Sequence, residues 1–177
     1  NYPLMRQRTQ AQKSDKQYNV LIVLLEGWHP YYIDGLSHHN FGVTPVFDQI
    51  LKEGVVFTNA YATGQRSIVG FGSVFAGLPW VPGLPSFGYG MELAALSTMP
   101  RHFSEAGYYT FFAQTSSRDS YRLCALASYL GAQESYGWED MPQLLAYKEK
   151  APFGYDYDLM MFAADKIKNR PKPHFMG

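Results

Sequence analysis

The first clear hydrophobic block of this chain has no polar break in it. Val20-Leu21-Ile22-Val23-Leu24-Leu25 is a continuous, largely branched run that follows Asn19 and ends in the carboxylate of Glu26. Its length suits a strand buried on both faces, as in a parallel sheet under helices, and is far too short to cross a membrane as a helix. Helical spacing appears next. Thr44-Pro45 marks a start, with threonine as N-cap and proline in the first turn; Val46, Phe47, Ile50 and Leu51 form an apolar stripe, and Gly54 is placed to close it. Val55-Val56-Phe57-Thr58 reads as a second strand. A helix is predicted over about Ser67 to Ala76, although Gly70 and Gly72 weaken it unless they permit close packing.

Leu78 to Gly90 is a loop, broken by Pro79, Pro82, Gly83, Pro85, Gly88 and Gly90. A helix from about Thr98 to Ala106 stops at Gly107, Tyr108 to Ala113 reads as a strand, and Ser120 to Leu130 is helical up to Gly131. Asp156 to Asn169 is an amphipathic helix with Leu159, Phe162, Ala163 and Ile167 inward, and Pro173 to Gly177 begins a further strand. This alternation of strand and helix predicts a layered α/β domain.

Composition narrows the picture. At 177 residues, 46% apolar and 17% charged, the chain has the profile of one globular domain with a substantial core. Fifteen basic residues balance fifteen acidic ones, so there is no bulk attraction toward nucleic acid or anionic lipid, and any anion recognition must be local. Cys124 is the only cysteine, which leaves neither a disulfide framework nor a cysteine metal cluster. Residues 1–17 are polar and basic and read as a linker or arm, ahead of a domain over 18–177. A chain that begins at Asn1 without methionine reads as a piece of something longer.

Candidate chemistry gathers where the predicted strands end. Glu26 falls at the carboxyl end of the first strand, the edge where open α/β sheets bind ligands. It is either a hard oxygen ligand for a divalent cation or a solvated strand-end residue. Thr63-Gly64-Gln65-Arg66-Ser67 sets a hydroxyl beside a guanidinium at a helix start. Ser67 is the candidate nucleophile, needing a metal or a base to activate it, or else it is a plain N-cap; Thr63 competes for the role. Arg66 either holds an anion or faces solvent. His29 lies close to Glu26, while His38-His39, His102 and His174 default to loop and structural roles. Arg118, Asp119 and Arg122 follow the strand ending at Gln114 and are predicted at the same sheet edge.

From Asn19 to Ser67 the chain resembles the alkaline phosphatase superfamily, in its sulfatase-like branch. The wording that carries this is Thr44-Pro45-Val46-Phe47-Asp48-Gln49-Ile50-Leu51-Lys52-Glu53-Gly54-Val55-Val56-Phe57-Thr58-Asn59-Ala60-Tyr61. Within the branch, Leu25-Glu26 followed by Gly64-Gln65-Arg66-Ser67 looks most like the lipoteichoic acid synthase and phosphoglycerol transferase group.

The resemblance implies a layered fold with a mostly parallel central sheet between helices, of which this chain would be the N-terminal part. It implies that Glu26 and Ser67 bind a divalent metal (Mn, Mg or Zn) and that Ser67 attacks phosphorus. Arg66, Arg118, Arg122 and His29 would contact substrate. The implied activity is transfer of a phosphoglycerol-type group from a phospholipid through a covalent Ser67 intermediate. The implied setting is a bacterial cell membrane, with the domain on its extracytoplasmic side and anchored by a segment outside this chain. The rest of the family's ligands, an Asp-His pair and a further histidine, are expected beyond Gly177, so the piece alone would be inactive or nearly so.

One departure bears on the reaction. True sulfatases carry a C/S-x-P-x-R signature that matures to formylglycine, whereas Ser67 is followed by Ile68-Val69-Gly70-Phe71. The alternatives are a hydrolase of the same superfamily (phosphodiesterase or sulfatase) and a non-catalytic binding domain on the same fold.

Overall fold

The computed structural model describes residues 16–91, 94–144, 154–170 and 173–177. The expected arm over 1–17 lies almost wholly outside the described residues. Among the described residues four strands form one sheet: β1 (Val20–Leu21), β2 (Tyr109–Ala113), β3 (Glu134–Tyr136) and β4 (His174–Met176). The order across the sheet is β1-β4-β2-β3 and every pairing is parallel. All carboxyl ends therefore share one edge.

The described residues form six α-helices: α1 (Asp34–Ser37), α2 (Pro45–Glu53), α3 (Ser67–Ala76), α4 (Met99–Glu105), α5 (Leu123–Leu130) and α6 (Asp156–Lys168). Period-two alternation in β2 explains the layering. Phe112 packs with Phe175 of β4 and with Phe71, Phe75, Cys124, Ala127 and Leu130 from α3 and α5. Its neighbour Phe111 points the other way, onto Ala163 and Ile167 of α6 with Tyr109 and Tyr136. The mixed α/β architecture with a parallel sheet between helices is as expected.

The helix boundaries follow local chemistry. Gly77 closes α3 with φ +66°, and Gly131 closes α5 with φ +111°. Thr98 precedes α4, is buried, and donates its hydroxyl to the Leu130 carbonyl, so that one of the orphan acceptors at the end of α5 is satisfied.

Two strand expectations are corrected. β1 is only two residues long, and Leu21, Val23, Leu24 and Leu25 are exposed rather than buried on both faces. β1 is an edge strand whose one described neighbour is β4, so the apolar run has no second partner there. Val55 to Thr58 forms no strand, and Val55 and Phe57 are 85% and 79% exposed. A strand needs a ladder partner, and none of the described strands pairs with this segment. The stripe on α2 is half used: Phe47 meets Trp28 at 5.5 Å between ring centres, while Val46 and Ile50 face outward. β3 is an addition, too short and too polar to announce itself.

Candidate active site

Glu26 lies five residues past the end of β1, not at the strand's last position as expected, and Gly27, at φ +71°, turns the chain just after it. Forty-one positions later α3 begins at Ser67. Arg66 caps it in an extended conformation, its carbonyl accepting from the amides of Val69 (2.9 Å) and Gly70 (3.1 Å). The first turn presents the Ser67 hydroxyl to Glu26. Ser67 Oγ donates a hydrogen bond to Glu26 Oε2, and both residues are exposed. The two positions singled out from sequence meet.

Thr63 does not compete for this position. Its hydroxyl lies 2.5 Å from Ser73 Oγ, and Ser73 in turn contacts the carbonyls of Val69 (3.0 Å) and Leu78 (2.9 Å). That chain of hydroxyls ties the loop before α3 to the segment after it.

The remaining candidates have other partners. His29 Nδ1 accepts from the Tyr31 amide at 3.1 Å and caps the short turn over residues 30–32. His38 closes α1 in the left-handed region, and His39 stacks on Tyr31 at 4.6 Å. Asp34 folds their loop by accepting from the amides of Phe41 (2.9 Å) and Gly42 (2.8 Å). Arg118 lies past the carboxyl end of β2, where Nη1 donates to Asp140 Oδ2 at 2.6 Å; that hydrogen bond holds its pKa above the ordinary guanidinium value. Arg122 sits at the start of α5 with φ +56°. Among the described residues no hydrogen bond or ion pair joins His29, Arg118 or Arg122 to Glu26 or Ser67.

Arg66 differs. Its Nη1 donates to the hydroxyl of Tyr89 at 3.1 Å. Tyr89, which sequence reasoning passed over, stands between Gly88 (φ +81°) and Gly90 (φ +109°) on the loop after α3. Phe87, 2% exposed, anchors that loop on α3. The signal was present in the glycines, Gly70 and Gly72 within a helix and a Gly-Tyr-Gly loop tip, but it needed a contact to interpret.

A carboxylate oxygen and a hydroxyl oxygen in contact, both open to solvent, are donors that suit a hard divalent cation. Among the described residues no cluster of three or more His, Cys, Asp or Glu that could hold a metal occurs, so they form no complete metal site. Gln114, the residue after β2 at the same edge, keeps a buried Oε1 without a hydrogen-bond partner. A second polar cluster lies on the face of β2 and β3 that α6 covers. There Tyr109 and Tyr136 donate to Glu134, and Arg170 pairs with it at 2.9 Å.

A parallel α/β domain with a helix-borne hydroxyl set against a carboxylate at its carboxyl edge is the architecture of an alkaline phosphatase-like domain. A family model described as Sulfatase matches residues 18–177. The chain belongs to the sulfatase family, whose domains are generally metal-dependent. No solved structure matches the chain significantly.

Proposed function

We propose that this sulfatase-family domain carries the nucleophile of a metal-dependent phosphotransferase, moving a phosphoglycerol-type group from a phospholipid to an acceptor alcohol. The Ser67–Glu26 contact supports this reading most directly. A serine hydroxyl is weak at its ordinary pKa, and a carboxylate on its hydrogen both orients Oγ and draws charge toward it. Glu26 and Ser67 would hold the divalent ion, which when bound supplies charge stabilisation and lowers the hydroxyl's pKa.

In the first half-reaction the Ser67 Oγ–phosphorus bond forms as the bond to the departing alcohol breaks, and the serine's proton ends on that alcohol. An acceptor hydroxyl then attacks the same phosphorus, regenerates Ser67 Oγ and returns a proton to it. Arg66 lies next to the reacting oxygen in sequence and carries positive charge suited to a non-bridging oxygen. His29, Arg118 and Arg122 are proposed as substrate contacts only in the sense that they share this edge or border it.

Residues Ile68 to Phe71 lack the proline and arginine that formylglycine formation requires, which supports phosphorus over sulfur chemistry. Among the described residues no helix is long and apolar enough to cross a membrane. Domains of the group it resembles work on the outer side of a cell membrane, and the same location is proposed here. A hydrolase is the second reading, favoured by the exposure of the Ser67–Glu26 pair to water. Acceptor competition separates the two. The full-length protein is given phosphatidylglycerol vesicles with and without added glycerol-type acceptor, and the product is identified by mass. Transfer to the acceptor is expected; release to water alone, at every acceptor concentration, would leave the hydrolase.

A further inference from the structure

We propose that Tyr89 is the positioning residue for Arg66, and through it sets the affinity of the Ser67 site for a phosphoester anion; this rests on the phosphotransferase reading above. Three observations converge. The first is the choice of partner. Arg118 and Arg170 are matched to the carboxylates of Asp140 and Glu134, and Arg101 to the Tyr129 carbonyl, as expected of arginines that serve the fold. Arg66 instead bonds a neutral phenol, and no described carboxylate forms an ion pair with this charge beside the candidate nucleophile.

The second is how Tyr89 is held. A side-chain carbon on Gly72 would come 2.1 Å from the Phe87 ring, so the bare face of α3 is the seat of that ring. One on Gly88 would meet Ile68 at 3.0 Å, in the first turn of the same helix. The loop is thus docked along α3 at two levels, and the helix that presents Ser67 also sets the height of the Tyr89 hydroxyl. The third is exposure. Tyr89 is 67% exposed, so its ring adds little to the core. A side chain that contributes little to folding but orients a charged neighbour affects binding before it affects stability. An arginine pinned in one rotamer loses less freedom when it takes up a planar pair of phosphate oxygens.

The test uses the full-length protein with Tyr89→Phe, Arg66→Ala and the double variant. Turnover of bis(4-nitrophenyl) phosphate gives KM and kcat, and calorimetric titration with inorganic phosphate gives a Kd that requires no turnover. Tyr89→Phe is expected to raise both KM and the phosphate Kd about three- to tenfold, the range of a single ordinary hydrogen bond, while kcat changes less than about twofold. Its thermal midpoint should match the unaltered protein. In the Arg66→Ala background the same change should add less than about twofold, because its target is gone. Unchanged KM and Kd in Tyr89→Phe, an equal loss with and without Arg66, or no phosphate binding by the unaltered protein would each overturn the proposal. If the unaltered protein binds phosphate in a Tyr89-dependent way yet turns nothing over, the positioning role stands and the phosphotransferase reading falls.

Discussion

Phe87 lies across α3 on the face that Gly72 leaves bare. A glycine inside a helix costs stability relative to alanine, so its place here has to be explained by what it admits. Substituting Gly72→Ala puts a methyl 2.1 Å from the ring and should destabilise by about 1–3 kcal/mol, the usual cost of overpacking. Gly70, two residues earlier on the same helix, has nothing within 4 Å of an added carbon. Gly70→Ala should therefore be neutral or stabilising by up to about 1 kcal/mol. Denaturant melts of the pair decide it; equal behaviour of the two would remove the packing explanation.

Ser67 and Glu26 should respond differently to substitution. Ser67→Ala is expected to lower phosphodiester turnover on the order of a thousandfold or more while leaving the fold intact, as loss of a nucleophile does. Glu26→Gln keeps the shape but removes the charge, and should lower both turnover and bound divalent metal in the full-length protein. Metal analysis after desalting checks the second point. Full metal content in Glu26→Gln would refute its role as a ligand.

Gly131 ends α5 at φ +111°, and a side-chain carbon there would stand 2.6 Å from the Arg101 backbone. Both the conformation and the close approach exclude alanine. Gly131→Ala should cost about 2 kcal/mol or more and separate α5 from α4, read as a lower unfolding midpoint with no change in which substrates are bound.

The cluster around Glu134 predicts how stability varies with pH. Burial works to raise the pKa of Glu134, but hydrogen bonds from Tyr109 and Tyr136, with Arg170 and Lys166 nearby, outweigh it and hold the carboxyl below the usual glutamate value. A depressed carboxylate binds fewer protons folded than unfolded. Its contribution is present above the unfolded pKa of about 4.3 and is lost as pH falls through the folded value. Tyr109 moves the opposite way: burial first, then its bond to Glu134, raise its pKa. That contribution is present below the unfolded tyrosine pKa of about 10 and fades as pH rises beyond it. Unfolding curves against pH should lose their acid arm in Glu134→Gln and their alkaline arm in Tyr109→Phe. An unaltered pH profile in either variant would show that this cluster does not couple to folding.

Much of this was written in local pattern. Proline in the first turn of α2 and α4, glycine after α3, α4 and α5, and the inward stripe of α6 are short-range chemistry, so those helices could be read locally. The exception is that α5 starts at Leu123 and not at Ser120, because Tyr121 and Arg122 turn into the left-handed region. The alternating faces of β2 follow from the same short-range rules. Partnership is different, because it depends on residues far away along the chain. Nothing in Val20 to Leu25 says that β4 will lie beside only its first two residues, and nothing in Val55 to Thr58 says that no described strand will pair with it. The insertion of the last strand between the first and second, the seating of Phe87 on Gly72, and the meeting of Tyr89 with Arg66 were all decided by packing. Hydrophobicity fixes which residues leave water, but only close-packed shape and ladder hydrogen bonds select the neighbours they find.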